Sequence, residues 1–176
     1  ELVKDNGFEI LYLTDSVDEF AVKALRSYKE KEFKSVSADD LGLENTEKKE
    51  EIKAKEEENS DLLKDMASAL DGKVTKVILS QRLKSHPVCL TSEGEISLEM
   101  EKVLNAMPTD QKVHAQRVLE LNPEHEIFGK LKALGESGDK DTLGKYAKLL
   151  YDQALLIEGM SIEDPVEFSN LICELV

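Results

Sequence analysis

Apolar and polar residues follow helical and strand-like patterns along most of this chain of 176 residues. The densest apolar pattern lies near the carboxyl end, where residues 149–157 and 165–175 each carry apolar side chains at helical spacing. Both segments carry more than one apolar stripe, whereas a helix that lies on a single core needs only one. The surplus predicts that these helices are covered either by a large core of their own chain or by a second chain.

Shorter apolar runs predict strands. Residues 8–13 and 33–36 form aromatic or β-branched runs on either side of a helix through Phe20 and Leu25, which predicts a strand-helix-strand segment. Three strands of a small sheet are predicted at residues 74–79, 88–91 and 115–121. Helices are predicted at residues 96–107, 124–134, 143–158 and 165–176. The fold class is therefore α+β, a small three-stranded sheet with packed helices and a helix pair at its carboxyl end.

Residues 44–59 are dominated by charge and contain Ile52 as their large apolar residue. Such a run predicts a linker or a solvated helix, and the apolar spacing that follows predicts one long helix with an exposed start. We therefore divide the chain at 1–43, 44–60 and 61–176. The first piece is too short to bury a core alone, so we expect it to end a preceding α/β domain of a longer protein.

Composition and net charge exclude some classes of function for this chain. Apolar residues make up 40% of the chain, which suffices for a core, and the formal net charge is −14. An acidic chain without a basic patch is a poor partner for nucleic acid or an anionic membrane. Its apolar runs fall far short of the ~20 residues that cross a bilayer, so we expect a cytoplasmic protein.

The sequence offers little catalytic chemistry. His86, His114 and His125 lack metal-ligand spacing, and neither a nucleophile elbow nor a phosphate-binding glycine loop occurs. Cys89 and Cys173 lie far apart, which disfavours a disulfide framework or a zinc site. Residues 139–150 begin like a calcium loop but lack its later carboxylates. We predict no catalytic, cofactor-binding or metal residues, and an enzyme with clefted carboxylates is only a minor hypothesis.

The helix predicted at 96–107 has one continuous apolar face, while Glu99, Glu101, Lys102 and Asn105 are expected to face away. The face consists of Ile96, Met100, Val103, Leu104 and Met107. Core packing is the ordinary interpretation of such a stripe. Because flexible methionine side chains adapt to differently shaped apolar partners, a binding surface is the alternative.

The last helix has a well-defined start. Asp164 suits the N-cap, Pro165 the first helical position and Glu167 the third, which is the spacing of a capping box. From the residues alone, this helix is equally compatible with packing back onto residues 149–157 and with binding a partner.

Several segments together resemble the C-terminal portion of the heat shock protein 90 family of molecular chaperones, of the bacterial high-temperature protein G type. They are Gly-Phe-Glu-Ile-Leu-Tyr-Leu-Thr-Asp-Ser-Val-Asp-Glu-Phe at 7–20, Pro-Val-Cys-Leu-Thr at 87–91, Leu-Glu-Leu-Asn-Pro-Glu-His at 119–125, and residues 149–165. The resemblance covers essentially the whole chain. Its most specific part is Leu-Asn-Pro-x-His combined with Asp-Gln-Ala-Leu-Leu-x-x-Gly-x-x-x-x-Asp-Pro.

This resemblance implies the end of a middle domain followed by the C-terminal dimerisation domain of an ATP-dependent chaperone that assists protein folding. ATP and Mg would bind an upstream domain, so the segment itself would hold no cofactor and hydrolyse nothing. The implied partners are a second copy of the chain, forming an intermolecular four-helix bundle, and partly folded client proteins. The acidic Met-Glu-Glu-Val-Asp tail of eukaryotic relatives does not occur in the sequence.

The resemblance also assigns residues to both surfaces. The client-binding residues that it implies are Ile96, Met100, Val103, Leu104 and Met107. The dimer-interface residues that it implies are Leu143, Tyr146, Leu149, Leu150, Ala154, Ile157, Val166, Phe168, Leu171, Ile172 and Leu175. The competing hypothesis is a monomeric scaffold or adaptor domain whose C-terminal helix pair packs internally.

Overall fold

A computed structural model describes residues 7–15, 17–35, 46–108 and 112–175, with side chains from residue 49 onward in the helix that begins at 46. The chain divides into two compact units. The first unit comprises residues 1–44 and 91–116, and the second comprises residues 45–90 and 117–176. Each unit therefore draws on two separate stretches of the sequence.

The described elements follow one another in a mixed order of helices and strands. They are α1 (Asp18–Leu25), β1 (Ser27–Tyr28), β2 (Lys31–Glu32), α2 (Thr46–Glu58), α3 (Ser60–Ala69), β3 (Lys76–Leu79), β4 (Val88–Glu93), α4 (Leu98–Ala106), β5 (Gln116–Leu121), α5 (Glu126–Ser137), α6 (Lys140–Ile157) and α7 (Pro165–Leu175). Together they confirm the predicted α+β class.

The predicted strand-helix-strand segment is wrong in its strands. Residues 8–13 form no strand, and neither do residues 33–35, while Val36 lies outside the described residues. A strand forms only where another strand pairs with its backbone groups, and here Phe8 and Leu11 are 55% and 65% exposed. The helix is present as α1. It is followed by the short antiparallel hairpin of β1 and β2, whose turn residues Lys29 and Glu30 both have positive φ.

The predicted three-stranded sheet is confirmed. Its strand order is β3-β5-β4, and β3 pairs with β5 in parallel, from Lys76 opposite Val118 to Leu79 opposite Leu121. The last four residues of β5 are all buried, so side chains on both faces of the middle strand are covered. Burial on both faces is what a central strand requires, and β5 is the central strand of this sheet.

The core of the second unit is built from helices around this sheet. Helix α3 contacts β3, α5 and α6, and α6 also contacts α5 and α7. Gly144 of α6 lies against Ala69 of α3, and a Cβ at Gly144 would make only ordinary van der Waals contact with the Ala69 Cβ, at 3.5 Å. Met66, Leu131 and Tyr151 are fully buried between these elements. Helix α6 is therefore a core helix rather than a peripheral one.

Residues 46–58 of the charged run form helix α2, but the predicted single long helix is interrupted, because α2 ends at Glu58 and α3 begins at Ser60. Helix α2 also packs, because Ile52 is buried and the Glu56 carboxylate accepts a hydrogen bond of 2.8 Å from the Leu79 N–H of β3. Asn59 separates α2 from α3, and its side-chain amide donates to the Lys55 carbonyl at 2.7 Å. The edge strand β3 thus gains one of its missing hydrogen-bond partners from a helix that looks fully solvated in sequence.

Candidate interaction surfaces

Helix α4 carries the first candidate surface, which we call the α4 face and define as Ile96, Met100, Val103, Leu104 and Met107. Ser97 begins the helix by accepting a hydrogen bond of 3.1 Å from the Met100 N–H, and its own hydroxyl donates to Glu19 at 2.8 Å. Four residues of the α4 face are half-buried, and Met107 is 46% exposed. The stripe is therefore neither fully buried nor fully open, and Met107 is its most exposed residue.

The side of α4 opposite the α4 face is partly buried. Its buried residues are Leu98 and Glu101, so this carboxylate lies away from the apolar stripe but is not exposed to solvent. Within the same unit, the Lys23 ammonium contacts the Met100 sulfur and donates to the Glu95 carbonyl at 3.0 Å. Met100 is thus partly engaged inside its own unit, and Met107 is the open end of the α4 face.

The residues predicted for dimerisation fall into a buried and an open set. The buried set packs inside the second unit and consists of Leu143, Tyr146, Leu150, Ala154 and Leu171. These side chains serve the chain's own core because α6 turns one face towards α3 and α5. Only the remaining six residues of the prediction have surface to offer a partner.

The open set lies on α6 and α7. Leu149, Phe168 and Leu175 are half-buried, and Ile157, Val166 and Ile172 are exposed. Leu156, which the prediction omits, is 50% exposed and lies two turns after Leu149 on the same side of α6. We define the α6–α7 face as Leu149, Leu156, Ile157, Phe168, Ile172 and Leu175. The i, i+7 spacing of the two leucines is the sequence signal that could have identified Leu156.

Helix α7 packs back on α6 along one side. Leu171 is buried, the Tyr146 hydroxyl donates to the Leu175 carbonyl at 3.0 Å, and Lys145 pairs with Glu174 at 2.7 Å. The predicted N-cap is confirmed, because the Asp164 carboxylate accepts from the backbone N–H groups of residues 166 and 167 at 3.0 and 2.9 Å. Internal packing thus covers one stripe of α7 and leaves Phe168, Ile172 and Leu175 at least partly open.

A groove runs beside the α6–α7 face, with a volume of about 450 Å³. Its lining is mainly apolar and consists of Pro87, His125, Ile127, Lys130, Tyr146, Leu149, Leu150, Gln153 and Leu175. His125 also caps α5, where its Nδ1 accepts a hydrogen bond of 3.2 Å from the Ile127 N–H. The Lys130 ammonium lies 4.9 Å from the centre of the Tyr146 ring, which is cation–π geometry. The groove extends the apolar surface that the helix pair leaves open.

Charged groups in the second unit form structural pairs. The Arg82 guanidinium donates hydrogen bonds of 2.6 and 3.2 Å to the buried Glu120 carboxylate. The Ser80 hydroxyl donates to the same carboxylate at 2.7 Å. Burial, reinforced by Glu120, raises the pKa of the neighbouring Cys89 thiol to about 12. A thiol with so high a pKa is a poor nucleophile at neutral pH.

The described residues contain no group of three or more potential metal ligands from His, Cys, Asp and Glu. Within the same part of the chain, no helix combines the length and the apolar character needed to cross a membrane. What the geometry does present is a pair of partly open apolar helix faces, one in each unit. Such faces are typical of proteins that bind other polypeptides.

The family follows from comparison with known proteins. The model of the family described as Hsp90 protein matches residues 1–176, and the chain belongs to this family. It is similar to the proteins named chaperone protein HtpG of Halalkalibacterium halodurans (59% identical), Clostridium acetobutylicum (58%) and Alkaliphilus oremlandii (54%). Each similarity covers 100% of this chain and 28% of the relative, so the chain corresponds to a portion of the bacterial HtpG type.

Proposed function

We propose that this chain is the dimerisation and client-binding segment of an ATP-dependent chaperone that assists protein folding in the bacterial cytoplasm. The observation that carries the proposal is the one-sided packing of α7. Leu171 is buried against the chain's own unit, whereas Ile172 is 39% exposed on the same helix. The family membership supports the same function.

A second copy of the chain is the partner that fits the α6–α7 face. Two-fold symmetry places the same patch on both protomers, so two helices from each chain form a four-helix bundle. Pairing would remove Leu156, Ile157 and Ile172 from water, and the hydrophobic effect favours this burial in proportion to the apolar area covered. The adjoining groove offers each protomer room for side chains of the other.

The mass of the chain in solution tests the proposed dimer. Light scattering should give twice 19.7 kDa for the chain. Ile172→Asp should raise the dimer dissociation constant by about a hundredfold or more, because both copies of the interface would gain an unpaired carboxylate. Asn170→Asp is the matched control, since residue 170 is exposed on the same helix but lines the ion-paired cleft between α6 and α7.

The competing hypothesis, a monomeric scaffold with an internally packed helix pair, predicts a mass of 19.7 kDa at all concentrations. Under that hypothesis Ile172→Asp changes neither mass nor stability. Deleting residues 161–176 separates the two hypotheses less well, because it also uncovers the Leu171 contact and the Tyr146 hydroxyl bond. The point substitution therefore replaces the deletion as the decisive experiment.

The α4 face is the proposed client-binding surface. Partly folded chains expose apolar side chains, and the flexible thioether of Met107 can adapt to many of them. Met107→Asp should weaken suppression of client aggregation severalfold while the mass and circular dichroism stay unchanged. Glu99→Gln is the control on the same helix, because it removes a charge from an exposed polar position. Unfolding by Met107→Asp would instead identify the stripe as core.

The remaining chemistry belongs to the rest of the longer protein. We infer that ATP and Mg bind upstream and that this segment is not itself an enzyme. Joining two protomers at one end raises the effective concentration of their other domains for each other, so that closure of the chaperone becomes an intramolecular event. The proposed role of the segment in the ATP-driven cycle is thus to provide a lasting hinge.

A further inference from the structure

Glu101 is an unusual residue on α4, because it is a carboxylate that is only 2% exposed, whereas the apolar residues of the α4 face are half-buried or exposed. Amphipathic helices ordinarily bury their apolar side and expose their charges. Burial of a carboxylate is tolerated only where hydrogen bonds replace its water. The orientation of α4 about its own axis therefore depends on the partners of Glu101.

Those partners lie on the extended segment 112–115 of the same unit. One carboxylate oxygen of Glu101 accepts a hydrogen bond of 3.0 Å from the Ala115 N–H, and the other lies 3.5 Å from His114 Nδ1. One turn farther along α4, Asn105 accepts from the Val113 N–H and donates to the Val113 carbonyl, both at 2.8 Å. The side chains of Glu101 and Asn105 thus form hydrogen bonds with backbone groups of Ala115 and Val113, which are alternate residues of the segment.

The match between the helix and the segment is geometric. Four residues of α-helix rise about 6 Å, and two residues of extended chain span about 6.6 Å. Positions 101 and 105 on the helix therefore lie in register with residues 115 and 113 on the segment. Lys112 adds a third contact by donating to the Asn105 carbonyl at 2.9 Å.

The amino end of α4 is held separately by α1. Ser97 donates to Glu19 at 2.8 Å, and Lys23 donates to the Glu95 carbonyl at 3.0 Å. These contacts fix where the helix begins, whereas Glu101 and Asn105 fix which side of it faces segment 112–115. Rotation of α4 about its axis would cover more of the α4 face and would expose Glu101.

We propose that Glu101 and Asn105 are positioning residues that hold α4 in the rotation presenting Val103, Leu104 and Met107 to client proteins. This inference rests on the client-binding role proposed above and adds to it. The hydrogen bonds to segment 112–115 oppose the ordinary tendency of the apolar stripe to seek cover. The face stays available because its opposite side is anchored by polar groups.

Amide hydrogen exchange and a client assay on the 176-residue chain test this inference. Glu101→Ala should speed exchange of the Ala115 amide about tenfold or more, because that N–H loses its acceptor. It should also raise severalfold the chain concentration that half-suppresses aggregation of thermally unfolded citrate synthase. Glu101→Gln should restore both values, since its amide oxygen can still accept from Ala115. Glu99→Gln, at an exposed position on α4, should change neither value.

Asn105→Ala gives an independent variant in which the Val113 amide should exchange faster and suppression should again weaken. Unchanged exchange and suppression in both alanine variants would overturn the inference. Faster exchange throughout α1 and the β1–β2 hairpin without rescue by Gln would also overturn it, by making Glu101 a general fold determinant.

If Met107→Asp suppresses aggregation normally, the proposed function of the face fails. If Met107→Asp impairs suppression and the alanine variants do not, only the positioning role fails.

Discussion

Buried acids show how much a single residue's role depends on its surroundings. Glu101 and Glu120 are both almost fully buried in a chain with 37 acidic residues. In the sequence they are indistinguishable from solvated carboxylates. Glu120 is paired with Arg82, and Glu101 accepts from the backbone at Ala115. At the scale of the residue, the hydrogen-bond partner decides whether an acid can be buried.

Cysteine reactivity can be predicted at the same scale. Cys173 is exposed, whereas burial raises the pKa of Cys89 to about 12. At pH 8 the thiolate fraction of Cys89 is then on the order of one in ten thousand, and the thiolate is the reactive species. A maleimide added to the native chain at pH 8 should label Cys173 well before Cys89, and peptide mass spectrometry can distinguish the two.

Denaturant supplies the control for this labelling, because both thiols should react at similar rates once the chain is unfolded. Equal labelling rates in the native protein would contradict the partly buried environment of Cys89.

At the scale of elements, the two C-terminal helices have different roles. Helix α6 buries seven of its residues, whereas α7 buries Leu171 alone among its described residues. The first is therefore a core helix with one spare side, and the second is a helix docked along one stripe. The stability of α7 must depend more strongly on its own cap and on whatever covers its open stripe.

The N-cap of α7 gives a prediction at this scale. Asp164→Ala should destabilise the second unit by about 1 kcal/mol, because two backbone N–H groups at the helix start lose their acceptor. Asp164→Asn should cost much less, since its side-chain oxygen can still accept both bonds. Urea unfolding followed by circular dichroism measures both changes. Equal losses in the two variants would indicate that charge at this position matters more than capping.

At the scale of the whole molecule, the proposed function rests on the apolar surface that each unit leaves partly open. The α4 face belongs to the first unit and the α6–α7 face to the second. The proposed chaperone segment thus separates client contact from assembly, so that substitutions in one surface can leave the other intact.

Dimerisation makes a further prediction for the whole molecule. A species that binds only in the folded state stabilises it by mass action, so the thermal midpoint of unfolding should rise with chain concentration. The rise should disappear in Ile172→Asp and persist in Asn170→Asp. Calorimetry over a hundredfold range of concentration would show it. A midpoint independent of concentration in the unsubstituted chain would contradict the dimer.

The amino-acid sequence by itself determined the α+β class, the three sheet strands, most of the helices and the cap at Asp164. These features follow from local periodicity and short-range hydrogen bonds, which the order of residues specifies directly. It also carried the family resemblance. The absent strand at 8–13 was not predictable in this way, because a strand depends on a partner elsewhere in the chain.

Only the tertiary structure decided which apolar stripes are covered. It placed Tyr146 and Leu150 in the core, left Leu156 and Ile172 open, and buried Glu101 against Ala115. The physical reason is that periodicity shows which side chains share a face, whereas burial depends on contacts between residues far apart in the chain. A helix with two apolar stripes is compatible with either orientation until packing against its neighbours selects one.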